Sequence, residues 1–318
     1  MRTSSRASPK AHIKFAGLAA ATKKRCRQSI LRCFVYLDLY NIPWPNSPAQ
    51  LDVTVSEYVN RQYQDEASFN QAQIVATALR RFYPACRRSL NLTTQYLTNW
   101  SKGLTRRRAL PLPLNVCMGM AGAACARGDH GFAISLLLGF VALLRSVEIV
   151  TLRARQIRIL RCGEAAVLMF ESSKGAVRRG TPETVMVHDR GVVQMLHHRI
   201  AGLPADGHVF GGSGRDLQAC ITRYAGYMGL VHPDLTPYCI RRGGATWHFG
   251  KYANLHATQH LGRWAQLNTA KLYIGEAMVA QAQCNLDPAA ADRLTKAHQV
   301  CAQILVRLAY PDPASVEQ

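Results

Sequence analysis

One apolar run constrains this chain more than any other feature. Residues 131–144 (GFAISLLLGFVALL) carry no charge and stop at Arg145. The run is too short to cross a bilayer, which takes about 20 apolar residues, so it reads as a helix enclosed in a globular body. A helix that is apolar all round must be covered by other elements on every side. The run also delivers Arg145 to the point where rigid packing ends. A guanidinium there has buried neighbours, and its charge must find solvent, a carboxylate or a ligand.

The length of 318 residues exceeds what one core usually holds, so two domains are expected, and 48% hydrophobic residues is a globular composition. A formal net charge of +20 and a pI near 9.9 point to a polyanionic partner. Nucleic acid comes first among these and an anionic membrane surface second, with basic charge as a plain solubility device the bland alternative. The 10 cysteines are scattered singly, with no Cys-x-x-Cys pair and no histidines at zinc-ligand spacing. With no secretory pattern either, they read as reduced, mostly buried thiols of a nuclear or cytoplasmic protein. Neither a metal nor another cofactor is implied, and no membrane partner. Residues 1–37 contain no acidic side chain, which suits a basic arm lying along DNA or a plain tail, with an organelle transit segment as the lesser alternative.

Residues 1–24 read as the flexible arm. Helical periodicity over 24–40, 51–64, 68–82 and 93–100, broken by the prolines of 41–48 and by Pro84, predicts a small all-α domain at 25–101. The stretch 102–113 (KGLTRRRALPLP) reads as a basic linker in which Arg106, Arg107 and Arg108 either follow a DNA backbone or face solvent. Beyond it, 114–318 reads as a second domain. Helices are expected at 114–126 and 131–144, then strands at 156–160, 165–170 and 184–188. Further helices are expected at 192–200, 217–228 and 240–250, in short pieces up to Tyr273, and at 288–308. The expected class is α+β: a mainly helical catalytic domain with a small antiparallel sheet, preceded by the all-α domain.

Cleaving a phosphodiester without a metal takes guanidinium forks for the charge that builds on phosphate oxygens, an in-line nucleophile, and an acid for the leaving oxygen. A covalent intermediate stores the bond so that the strand can be rejoined. The strings LLRSVEIVTLR, TPYCIRRGGATWHF and HLGRWAQLNTAKLYI hold candidate parts. In the first, Arg145 with Glu148 reads equally as a structural ion pair. In the second, Arg241 and Arg242 precede Gly243 and Gly244, which near a helix start would let the backbone approach a phosphate. The third supplies Trp264 and Tyr273.

These residues together resemble the tyrosine recombinases, the phage integrases and their relatives. Arg145 with Glu148 is similar to the family's first arginine box, and Tyr238-x-x-Arg241 to the second, where histidine usually stands in place of Tyr238. Leu261-Gly262-Arg263-Trp264 resembles the His/Trp position, and Tyr273 stands where the nucleophile stands. The RRGGAT string is closer to recombinases of eukaryotic mobile elements than to bacterial resolution enzymes. The resemblance runs by motif over 114–283 and by architecture over the helical domain, which would be a core-binding domain on DNA. It implies a site-specific recombinase or integrase that cuts and rejoins DNA through a 3′-phosphotyrosine link. In that scheme Arg145 and Arg241 clamp the phosphate, Trp264 packs beside it, Glu148 orients Arg145, and Lys174 protonates the leaving 5′ oxygen. Lys174 is the single lysine between the two boxes.

The resemblance also implies double-stranded DNA as partner, a homo-oligomer (a tetramer on paired sites), and no cofactor. Arg178, Arg179, Arg242 and Arg263 join the linker arginines as DNA-binding candidates, with exposure favoured for Arg263. Tyr224 and Tyr252 are expected in the core, and His248, His256 and His260 as surface or packing residues. The helix at 288–308 either docks on a neighbouring protomer or covers the chain's own core. The competing readings are a fold-retaining DNA-binding protein without chemistry, for which Tyr238 speaks, and a packaging protein that works by charge alone.

Overall fold

A computed structural model of the chain describes residues 19–104, 109–161, 163–171, 180–230, 235–284 and 286–310. Arg106, Arg107, Arg108, Lys174, Arg178 and Arg179 lie outside them. The chain divides into two units between Arg107 and Arg108.

The first unit is all helix: α1 (Ala20–Leu39), α2 (Pro48–Gln64), α3 (Phe69–Phe82) and α4 (Asn91–Gly103), with a 3₁₀ turn at Pro84–Cys86. Ser47 caps α2 by accepting from Gln50 N–H, and Pro48 occupies the first turn, where its missing N–H costs nothing. The α4 N-terminus has no cap of its own. Asp52 of α2 supplies one, its buried carboxylate accepting from the N–H groups of Leu92 (2.8 Å) and Thr93 (2.9 Å). The Asp52 side chain thus meets the orphan donors of another helix. Leu51, Val55, Val75, Leu79, Leu97 and Trp100 fill the core between them.

The second unit is α+β. Its helices are α5 (Leu114–Cys125), α6 (His130–Val141), α7 (Ser146–Thr151), α8 (Arg190–Ala201), α9 (Gly214–Tyr227), α10 (Pro237–Tyr252), α11 (Leu255–Leu261), α12 (Leu267–Tyr273), α13 (Glu276–Cys284) and α14 (Pro288–Ala309). Between α7 and α8 lie β1 (Ile157–Ile159), β2 (Ala166–Phe170) and β3 (Glu183–Val187), an antiparallel sheet in the order β1-β2-β3. As the apolar run requires, α6 is buried from Gly131 to Phe140, with α5, α8 and α10 packed on it. Among the described residues no helix is long and apolar enough to cross a membrane.

The expected helix 131–144 stops earlier, at Val141. Leu143 adopts a left-handed φ of 48°, and Leu144 N–H returns to Gly139 O at 3.0 Å, which closes the turn. That turn puts Arg145 at the N-cap of α7, a helix too short for periodicity to reveal. Gly243 and Gly244 also need correction. They lie inside α10, and their missing side chains make room for Leu112 and Phe140 backbone rather than for a phosphate. Tyr224 is in the core as expected, but Tyr252 is exposed, because α10 ends there and the chain leaves the body. The helix at 288–308 covers its own core: Leu294 and Cys301 are buried, and Leu305 and Leu308 pack against the same cluster.

Gly122 on α5 touches the backbone of Ala297 on α14 closely enough that any Cβ would collide with it. Gly122→Val is therefore expected to destabilise the unit by about 1–3 kcal/mol through overpacking. Gly226→Ala, on α9 with open space around it, should be neutral or stabilising by up to about 1 kcal/mol. Urea midpoints of the two variants check both.

Candidate active site

The site is built where α7, β3, α10 and the α11–α12 turn meet. Arg145 is fixed from its own backbone outward. Its N–H donates to Glu148 Oε2 at 2.8 Å, and its Nη1 donates to Glu148 Oε1 at 2.5 Å. The same Nη1 reaches Glu183 Oε2 at 3.1 Å. Burial by itself would lower the Arg145 pKa, but the Glu148 and Glu183 carboxylates outweigh that and raise it. Glu148 shows the mirror effect: burial pushes its carboxyl up, and the Arg263 and Arg145 guanidiniums bring it below its ordinary value.

Glu183 lay outside the sequence reading, in which the third strand began at Thr184. The alternation of β3 does place it: Glu183, Val185 and Val187 share the buried face. A carboxylate on that face must be paired. Its partners are Arg145 and Arg263, the latter at 3.5 Å. Arg263, favoured as exposed, is the clearest correction. Its side chain is 7% exposed, and it grips Glu148 as a fork, Nη1 to Oε1 at 3.1 Å and Nη2 to Oε2 at 2.8 Å. Its guanidinium also lies 5.2 Å from the Phe170 ring centroid. Buried carboxylates draw it inward, and its backbone accepts a left-handed φ of 55° to reach them.

Arg241 projects from the first turns of α10 and is 2% exposed. Its Nη1 donates to Leu143 O and its Nη2 to Gly262 O. Among the described residues its Nε has no hydrogen-bond partner. Its guanidinium lies 4.7 Å from the Trp264 ring centroid and 5.5 Å from that of Tyr273. Burial first, and then the nearby Arg263 charge, pull its pKa down to about 10, so it stays cationic at neutral pH. Its neighbour Arg242, read as a DNA contact, instead faces the interior. It is also 2% exposed and donates to Ala109 O and to Leu272 O. Consecutive residues of a helix point about 100° apart, so the two arginines cannot serve one surface.

Tyr273 ends α12. Its ring is 4.5 Å from Trp264 and 5.4 Å from Tyr238, centroid to centroid. Tyr238 is 46% exposed and shares a hydrogen bond with Tyr273. Partial burial and then that hydrogen bond push the Tyr238 phenol well above its ordinary value, so it is neutral and acts as donor or acceptor rather than base. Thr246, also missed, holds the nucleophile candidate's backbone: its hydroxyl lies 3.3 Å from Tyr273 O and accepts from Gly275 N–H at 3.1 Å. Only the fold reveals it, since a single threonine in a helix carries no signal.

Arg145, Glu148, Tyr238, Arg241, Trp264 and Tyr273 therefore stand in one cluster, joined by Glu183 and Arg263. A cleft of about 850 Å³ opens beside it, lined by Glu183, Arg263 and Trp264 and by His256 and His260. His248 instead pairs with Thr258 through Nδ1 at 2.8 Å, a packing role. Among the described residues no group of His, Cys, Asp and Glu could hold a metal ion.

No protein-family model matches this chain, and no curated protein matches its sequence. Solved structures do match. The XerH site-specific recombinase bound to palindromic difH substrate, in its post-cleavage complex, is 15% identical over 83% of this chain and 79% of that chain, with a TM-score of 0.56. The Tn1549 transposon integrase in complex with transposon right end DNA is 13% identical over 84% of this chain and 93% of that one, with a TM-score of 0.59. In complex with circular intermediate DNA the same integrase is 15% identical over 86% and 96%, with a TM-score of 0.58. The chain has the tyrosine recombinase fold. At such identities the likeness speaks for architecture, and the chemistry has to be argued from the side chains.

The buried carboxylate at the centre yields a pH prediction. The folded-state pKa of Glu148 lies below its ordinary value of 4.5. Its contribution is therefore complete above that value and is lost as pH falls through the folded pKa. Glu148→Gln should cost about 3–5 kcal/mol at neutral pH, because Arg263 is left buried without its fork. It should also flatten the acid limb of stability. Denaturant unfolding of both proteins from about pH 7 to about pH 3 checks it.

Proposed function

We propose that this protein is a DNA strand-exchange enzyme, a site-specific recombinase or integrase that cuts and rejoins DNA through a 3′-phosphotyrosine intermediate. The observation that carries the reading is the meeting of Tyr273 with Arg241 and Trp264, next to Arg145. A tyrosine ring, an arginine cation and an indole lie 4.5 to 5.5 Å apart, and among the described residues no carboxylate is bonded to Arg241. A buried guanidinium Nε without a partner costs free energy. A phosphate oxygen would repay that cost.

The roles follow from the geometry. Arg145 spends Nη1 on carboxylates, and among the described residues no hydrogen bond falls on its Nε or Nη2. With its side chain 31% exposed, that edge can present a fork to a non-bridging phosphate oxygen. Arg241 adds a second cation from below. The Tyr273 hydroxyl loses its proton to solvent as its oxygen bonds to phosphorus, and the bond from phosphorus to the 5′ oxygen breaks. Lys174, outside the described residues, is the proposed acid for that oxygen. Attack by a 5′ hydroxyl on the phosphotyrosine reverses the step, conserving the bond without ATP. Tyr238 steadies the Tyr273 hydroxyl.

Double-stranded DNA is the proposed partner. The +20 charge supplies the counterpart, with the helical unit and the arginines at 106–108, 178 and 179 as further backbone contacts. Assembly as a homotetramer on paired sites belongs to the same proposal. A second reading, a DNA-binding protein that has kept the fold without chemistry, draws on Tyr238 at the usual histidine position and on the closure of the aromatic rings over Arg241.

Covalent trapping separates the two. On nicked or suicide DNA substrates that include random sequence, the wild type should yield a denaturant-resistant protein–DNA adduct and Tyr273→Phe none. Absence of an adduct from the wild type, with DNA still bound, would favour the second reading. DNA affinity should also fall roughly a thousandfold or more between about 50 and 200 mM salt if six or more phosphates are neutralised. Fluorescence anisotropy across that range measures it, and a flat response would rule out a broad phosphate interface.

A further inference from the structure

Glu183 and Arg263 remain unexplained by the proposed chemistry. Neither bonds to Tyr273, yet both are placed with care. Glu183 is 3% exposed, and the Arg263 side chain is 7% exposed. Burying a charge costs several kcal/mol before pairing returns any of it. Two such residues beside a candidate phosphate site call for a reason.

The geometry supplies one. Glu148 alone can hold Arg145 only locally, because both belong to the same turn at the start of α7. Glu183 comes from β3 and meets the same Nη1 from across the unit. Arg263 comes from the turn before α12, the helix that carries Tyr273, and donates to the same two Glu148 oxygens that Arg145 uses. Among the described residues the four groups link two guanidiniums and two carboxylates in a ring. Among these four the charges balance, and Arg241 adds a further positive charge beside them. Without Glu183, the Arg145 Nη1 would keep only Glu148, which Arg263 also claims, and the guanidinium could swing with its short helix. Arg263 closes the ring by holding Glu148 in the orientation that serves Arg145. Its left-handed backbone and its stacking on Phe170 fix the guanidinium plane.

We propose that Glu183 and Arg263 are positioning residues for Arg145: with Glu148 they form a cage of ion pairs that sets the Arg145 guanidinium and ties its position to the sheet and to the Tyr273-bearing segment. The catalytic part of this inference rests on the function proposed above, and the restraint on Arg145 stands without it.

The test has two readouts. The first needs no DNA chemistry. In free protein, the rate of phenylglyoxal modification at Arg145, followed by peptide mass spectrometry, reports how firmly the guanidinium is held. Glu183→Gln, nearly isosteric and uncharged, should raise that rate several-fold, while exposed Arg61 reacts as before. Glu183→Asp should fall between. The second readout is the single-turnover rate of adduct formation on nicked DNA at saturating protein. Glu183→Gln and Arg263→Lys should slow it by about a hundredfold, the usual cost of a displacement near 1 Å, with DNA affinity little changed. Lysine keeps the charge of Arg263 but cannot form the fork.

If Glu183→Gln fails to fold by circular dichroism, Glu183→Asp carries both measurements, with the same direction expected. Unchanged Arg145 labelling in a folded variant overturns the cage. A wild-type adduct formed at an unchanged rate by Glu183→Gln overturns the catalytic role and leaves the recombinase reading intact. A wild type that forms no adduct overturns that reading instead, and the labelling result then decides the cage by itself.

Discussion

Burial of arginine is the constraint on which the rest of this structure depends. Arg241, Arg242 and Arg263 have their side chains inside the second unit, and Arg145 is half-way in. A guanidinium keeps its charge at neutral pH, so the fold has to bring partners to it. Three kinds are used. Carboxylates of α7 and β3 meet Arg145 and Arg263, turn carbonyls meet Arg241 and Arg242, and aromatic faces cover Arg241 and Arg263. The placement of β3 beside α7, and the left-handed turns at Leu143 and Arg263, follow from those demands.

The division of labour among the arginines matters for function. A cation saturated by carboxylates has little to offer a phosphate, and one without any counter-charge is costly to hold. Arg145 keeps one edge clear while its other corner is pinned, and Arg241 rests on neutral carbonyls and rings. Under the proposed function, both arrangements leave donor groups where a scissile phosphate would lie, in surroundings where hydrogen bonds and charges act more strongly than in water. The tyrosine pair is set by backbone. Thr246 holds the chain at Tyr273 and Gly275, so the ring positions depend on the α10–α12 packing as much as on the rings themselves.

Legibility followed the range of the signal. Helices with strong apolar periodicity were readable to within a few residues, as with α2, α5 and α14. Order and spacing along the chain singled out Tyr273, Trp264, Arg241 and Arg145, and the fold brings these four side chains together. Glu183 was missed although the alternation of β3 carries it, since a charged residue at a strand's edge looks like the end of the strand. Arg263 and Arg242 were misplaced for a common reason: a basic residue beside a motif looks like a ligand contact, while its partners, the Glu183 carboxylate for Arg263 and the Ala109 carbonyl for Arg242, lie 80 and 133 residues away in sequence.

By itself the sequence determined the buried helix α6, the mainly helical class with its small sheet, the basic character, and which residues were candidates for the site. These are properties of composition, periodicity and spacing, which local chemistry dictates. Tertiary structure decided which arginines face the site and which are struts, where the apolar helix turns to release Arg145, and why Gly243 and Gly244 are needed. Each of those depends on groups brought together from distant parts of the chain, and the desolvation of a charge, which settles the matter, has no value until the fold says what surrounds it.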